Sequence, residues 1–183
     1  DAFNNAGCAH IYEWSGSDWT LKGSQINGLS QSENFGTAIS MNNDGTIVAI
    51  SSPVNDDAFN NAGCVRIYEW NSNDWTLKGS QINGAESGGN FGTSTSMSAD
   101  GTIVAISADY NDTAYSNAGT VCIYEWSSSD WSLKEQINGL AENEGFGTRV
   151  CISNDGSIVA ITTTSNDDVF TNAGAARIYT TGS

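Results

Sequence analysis

The chain has 183 residues, with 21 acidic against 6 basic side chains and a formal net charge of −15. That balance excludes nucleic acid and anionic membrane surfaces as partners, because binding to phosphate runs on Lys and Arg. The few cations do not cluster, and no run of about 18 apolar residues is present to span a bilayer as a helix.

Residues 1–7, DAFNNAG, read as a loop, since Asn and Gly favour turn and left-handed conformations. AHIYEW (9–14) alternates, with His10, Tyr12 and Trp14 on one face and Ala9, Ile11 and Glu13 on the other, which predicts a strand. SGSD (15–18) is a turn, and WTLKGSQI (19–26) is a second strand completing a hairpin. A polar connection (27–34) leads to FGTAISM (35–41), a tight NNDG turn (42–45) and TIVAISSP (46–53). TIVAI is apolar almost throughout, which predicts burial on both faces. The loop VNDDAFNNAG (54–63) then returns to the opening element. No segment shows a helical period with caps, so helix is expected to be absent.

The rest of the chain repeats this unit. NNAGCAHIYEWSGSDWTLKGSQING at 4–28 recurs as NNAGCVRIYEWNSNDWTLKGSQING at 60–84 and SNAGTVCIYEWSSSDWSLKEQING at 116–139, with TNAGAARIYTTGS at 171–183. Phe3, Phe59, Tyr115 and Phe170 keep the register at steps of 56, 56 and 55 residues. Each unit predicts four antiparallel strands, here a (FGTAISM), b (TIVAIS), c (VRIYEW) and d (WTLKGSQI). The chain then divides into a c–d half blade at 1–34, full repeats at 35–90 and 91–145, and a partial a–b–c repeat at 146–183. Repeating four-stranded meanders of this length point to an all-β fold of tandem propeller-type blades, about three in all, either open or part of a larger assembly. A lone blade cannot bury both faces, whereas stacked neighbours can.

The pattern Phe-Gly, then Asp-Gly-x-Ile-Val-Ala-Ile, an Asn-Asp loop, Asn-Ala-Gly and Ile-Tyr resembles the FG-GAP family of β-propeller repeats. These line the head of integrin α chains and occur in many secreted proteins. Phe35-Gly36, Phe91-Gly92 and Phe146-Gly147 stand at the FG position, and Ala62-Gly63, Ala118-Gly119 and Ala173-Gly174 near the GAP position. The resemblance implies an extracellular, secreted or cell-surface protein with a structural, adhesive or binding role. Calcium-binding members carry Asp-x-Asp-x-Asp-Gly in the a–b turn; here Asp44, Asp100 and Asp155 each stand alone before their Gly, as in plain hairpin turns.

Several residues are candidates for chemistry. The b–c loops carry Asp56 and Asp57, Asp112, and Asp167 and Asp168, either as Asx turns that cap backbone N–H groups or as a Ca²⁺ site completed by carbonyl oxygens. The pairs Trp14/Trp19, Trp70/Trp75 and Trp126/Trp131 bracket the c–d turns, either for packing or as platforms for carbohydrate. Asn111 opens the one Asn-x-Ser/Thr sequon, in a loop expected to be exposed and so open to glycosylation. His10 is the single histidine, and its counterparts are Arg66, Cys122 and Arg177. Such variation reads as a solvent-facing position. Cys8, Cys64, Cys122 and Cys151 fit no zinc pattern and read as small buried thiols, with one opportunistic disulfide as the alternative. No nucleophile motif or phosphate loop is present, so a non-enzyme is expected. The leading expectation is a structural or adhesive protein acting through self-assembly into a homo-oligomer or filament; the alternative is a module binding carbohydrate or another protein, with Ca²⁺.

Overall fold

A computed structural model describes residues 4–166, 171 and 173–182 of the chain. Among them there is no helix, and every ladder between strands is antiparallel. The first module has β1 (Cys8–Ala9), β2 (Tyr12–Trp14), β3 (Trp19–Leu21) and β4 (Ile26–Asn27), paired as β1–β4 and β2–β3. The second has β5 (Ile39–Met41), β6 (Ile47–Ser52), β7 (Cys64–Trp70), β8 (Trp75–Leu77) and β9 (Ile82–Asn83), with β8 and β9 both on β7. The third is a continuous sheet of β10 (Thr95–Met97), β11 (Ile103–Ala108), β12 (Thr120–Trp126) and β13 (Trp131–Asn138). The last has β14 (Arg149–Ile152), β15 (Ile158–Thr163) and β16 (Ala175–Thr180). The sheets are separate blades that do not close on one another.

Strand b is the centre of each blade. Every residue of β6 and β11 is buried, as their unbroken Val/Ile/Ala pattern requires. Strand a is shorter than the sequence suggests. Phe35 and Gly36 precede β5: Phe35 N–H donates to Ala6 O at 2.8 Å, and the ring is buried edge-on to Tyr68 at 6.4 Å. The FG pair is therefore a plug and a corner. Strand d is also interrupted in the first two modules. Gly23 and Gly79 take φ of +75° and +74°, a left-handed conformation that breaks the ladder. The third module has one residue fewer here, Lys134-Glu135 for Lys-Gly-Ser, and β13 runs through with one bulge opposite Ile123/Tyr124.

Three apolar seams hold the stack. Ile47, Ala49, Val65 and Ile67 of the second blade meet Met97, Val104 and Ile106 of the third. Ile103, Ala105, Val121 and Ile123 meet Val150, Ile152, Val159 and Ile161 in the same way. Ala9, Ile11 and Ile26 lie on Val48, Ile50 and Tyr68. Strands a of neighbouring blades are also tied by polar bonds: Met97 N–H donates to Ser40 Oγ at 2.9 Å and Ile152 N–H to Ser96 Oγ at 3.0 Å. The repeat's Ser is thus a connector between blades.

Candidate functional site

The predicted Trp pairs are parts of a joint between blades. Trp75 indole N–H donates to Lys22 O at 2.8 Å, and Trp131 to Lys78 O at 2.9 Å. Asp74 Oδ1 accepts from Ser24 N–H at 2.7 Å and from Trp75 N–H at 2.9 Å. Asp130 repeats this with Ser80 and Trp131. These bonds hold both carboxyls below their usual range. The Lys78 ammonium lies 4.4 Å from the Trp126 ring centre, a cation–π contact. The Lys-Gly-Ser of one d strand therefore seats on the Trp-Asp-Trp corner of the next blade. A Cβ on Gly79 would lie 2.7 Å from both Asp130 Oδ1 and Trp126 Cζ3, so only glycine allows the approach.

Trp14 and Trp19 make the same corner with nothing described on it. Their ring centres are 5.5 Å apart, against 5.4 and 5.3 Å in the covered pairs. Trp19 is 62% exposed, whereas Trp75 is 8% and Trp131 is 9%. Asp18 accepts from its own Trp19 N–H, as its counterparts do. Of the six Trp residues, the two in the first module are the most exposed, Trp14 at 54% and Trp19 at 62%.

A second joint was missed by the sequence reading. Position 66, taken there as solvent-facing, is one of the most buried in the protein: Arg66 is 1% exposed, and so is Glu33. Arg66 Nη1 and Nη2 donate to Glu33 at 3.1 and 2.8 Å, and Nε donates to Gln81 Oε1 at 2.5 Å. Ser30 N–H at 3.2 Å, Leu29 N–H and Asn55 Nδ2 at 2.8 Å complete the carboxylate's shell. Burial raises the Glu33 pKa, but the Arg66 hydrogen bonds and charge, with the Asn55 and Leu29 donors, outweigh it and hold the group below the ordinary value. In the last blade Arg177 pairs with Glu144 at 2.6 Å in the same arrangement. In the middle blade the two positions are Gly89 and Cys122, so both partners are replaced together. The position varies because its mate varies with it. His10, in the first module, does face solvent.

The b–c loop carboxylates are occupied. Asp56 and Asp112 each accept from a backbone N–H five residues on, Asn61 and Asn117, at 2.6 Å. Asp57 accepts from Gln81 Nε2 at 2.9 Å and lies 3.8 Å from Arg66. Asp167 and Asp168 lie outside the described residues, among which no three His, Cys, Asp or Glu side chains converge as a metal site. The a–b turns are capped the same way: Asp155 accepts from Ser153, Ser157 and the Ser157 N–H, which brings its pKa down to about 2. Asn111 corrects the sequence reading. Its side chain is 5% exposed, because its Oδ1 caps Thr113 N–H at 3.0 Å and turns the group inward. The cysteines are all free: Cys64 and Cys122 are buried, Cys8 is half-buried and Cys151 is exposed. Burial pushes the thiol of Cys64 up to about 12 and that of Cys122 to about 11.

No protein-family model and no curated protein matches the chain. A solved structure, that of the Dos1 propeller, is similar over 98% of this chain and 40% of its own length, with a TM-score of 0.53 and 14% identity. The chain thus spans under half of that structure. A likeness at this identity establishes the fold, and the fold is propeller-type. The FG-GAP likeness rests on its motifs alone.

Proposed function

We propose that the protein is a non-catalytic interaction module that docks propeller-type surfaces on its outer blade faces, with further copies of itself as the simplest partner. The observation that carries this is positional. Ile158 and Ile178 of the last blade are 46% and 74% exposed, yet their counterparts Ile47 and Ile67 are 7% and 1% exposed, packed against a following blade. At the other end Ile39 and Met41 are 51% and 39% exposed, where Met97 is 7% and Val150 8%. Trp14 and Trp19 extend this leading face. The two faces have the complementarity of the internal seams, and a head-to-tail contact between them is heterologous and need not close. An extracellular structural or adhesive role accords with this reading and with the FG-GAP motifs.

Sedimentation velocity across about 1–100 μM tests it. Wild type should form concentration-dependent oligomers, and Ile178→Glu should abolish them while leaving the circular dichroism unchanged. A wild type that stays a 19.3 kDa monomer throughout overturns the reading. The alternative, carbohydrate on the Trp pairs, is narrowed to Trp14/Trp19, because Trp75 and Trp131 already spend their indole N–H on the neighbouring blade.

A further inference from the structure

The middle blade keeps the housing of the buried ion pair without the pair. Where the flanking repeats hold Glu33–Arg66 and Glu144–Arg177, Gly89 and Cys122 leave a cavity of about 100 Å³. By comparison with dry engineered cavities of roughly 150 Å³ that hold benzene, it has room to enclose one end of a small ligand, whose remainder would reach the open mouth beside Glu86.

Its walls repeat the neighbouring site group by group. In the flanking repeats the carboxylate accepts from two consecutive N–H groups, Leu29 and Ser30 or Leu140 and Ala141. Their counterparts, the N–H groups of Ala85 and Glu86, have no hydrogen-bond partner among the described residues. Asn55 Nδ2 donates to Glu33, while its Oδ1 caps Asp57 N–H. Asn111, which lines the cavity, keeps the cap, to Thr113 N–H, and its Nδ2 makes no hydrogen bond among the described residues. Three donors thus stand at the positions that receive the carboxylate in the flanking repeats.

The cation's place is kept as well. Arg66 stacks 5.6 Å from the Phe35 ring centre and donates to Gln81 Oε1. Phe91 and Gln136 stand at those positions in the cavity wall. Gln136 Nε2 donates to Asn138, which leaves its Oε1 open as an acceptor. Glu86 leans across the mouth, its carboxylate accepting from Asp112 N–H. That negative charge disfavours a bare anion and favours a ligand with its own cation.

We infer that this cavity binds a small zwitterion, a carboxylate carrying a guanidinium or ammonium group a few bonds away. The carboxylate is received by the Ala85 and Glu86 amides and Asn111 Nδ2. The cation lies over Phe91, between Gln136 Oε1 and the Glu86 carboxylate.

Calorimetric titration with guanidinoacetate, with acetate and guanidinium chloride as separate controls, tests this. Wild type should bind guanidinoacetate saturably and at least ten-fold more tightly than either control. Gly89→Glu/Cys122→Arg installs the pair of the flanking repeats and should abolish binding while raising the melting temperature. Gly89 has room for the change, since a Cβ there meets only Glu86, at 3.2 Å from its flexible side chain. Asn111→Asp keeps the cap on Thr113 but loses the donor, and should weaken binding at least ten-fold with the melting temperature retained. Equal heats for wild type and the double variant, or acetate binding as tightly as guanidinoacetate, would overturn the assignment.

Discussion

Removing Arg66 alone should damage the protein more than removing the whole ion pair. Arg66→Cys strands the Glu33 carboxylate, 1% exposed, with N–H donors from Leu29, Ser30 and Asn55 but no countercharge. Breaking one side of a buried pair costs about 3–5 kcal/mol, and three surviving donors put this case near the lower end. For a chain of this size, about 3 kcal/mol is a melting-temperature loss of roughly 6–12 °C. Glu33→Gly/Arg66→Cys instead reproduces the middle repeat. Its cost is chiefly the gap: about 24 cal/mol per Å³ over the roughly 100 Å³ found at Gly89/Cys122 gives about 2 kcal/mol. The double variant should therefore be more stable than Arg66→Cys. The pH dependence is equally specific. Glu33 has a depressed folded pKa, so its stabilisation is complete above its ordinary value of 4.5 and is lost as pH falls through the folded value. In Arg66→Cys, burial dominates, the Glu33 pKa rises, and protonation relieves the stranded charge. The gap between wild type and variant should thus narrow below about pH 4.5. The depressed carboxyls of the turns, such as Asp155, are common to both proteins and drop out of the difference. Thermal melts of wild type, both single variants and the double variant at pH 7 and pH 3.5 give the answer. A double variant no more stable than Arg66→Cys, or an Arg66→Cys loss under about 1 kcal/mol, would refute the reasoning.

Gly79→Ala should cost more than 2 kcal/mol, combining left-handed strain with the 2.7 Å clash. Gly16→Ala, at φ +99° with nothing within 4 Å, should cost about 1 kcal/mol; urea titrations of the two variants compare them directly. Trp131→Phe orphans Lys78 O and should destabilise by about 1 kcal/mol, whereas Trp19→Phe, on the exposed corner, should stay within about 0.5 kcal/mol by the same titration. Because Asp56 and Asp112 already cap backbone N–H groups, EDTA or millimolar Ca²⁺ should leave the melting temperature unchanged; a rise with Ca²⁺ would reinstate the loops as cation sites.

The strand order, the buried b strands and the capped Asp-Gly turns were readable because each depends on residues a few positions apart. Alternation reports a face, and Gly45 at φ +70° reports a turn. Strand lengths were less legible. Phe35-Gly36 looks like the start of a strand, but Phe35 fills the blade's end and Gly36 bends at φ +96°. In d, the stretch WTLKGSQI alternates plausibly, yet Gly23 leaves the ladder to reach Trp70 and Asp74 of another blade. That contact spans about 50 positions, and no local pattern announces it.

The same limit explains the hidden ion pair. Position 66 looks variable when its copies are stacked one on another, since His, Arg, Cys and Arg have no chemistry common to all four. Aligned with position 33, which runs Glu, Gly, Glu, the variation becomes a single alternation of paired and empty. Repetition makes the fold easy to read because it averages over copies, and it hides function for the same reason. Each seam is a distinct site, and identical residues take different roles according to their place in the stack. Ile67, Ile123 and Ile178 occupy one repeat position, at 1%, 0% and 74% exposure. What sets Ile178 apart is the absence of a described blade beyond it. Departures from the repeat, such as Gly89 and Cys122 in the middle blade, are therefore where a copy can take a role that its neighbours lack.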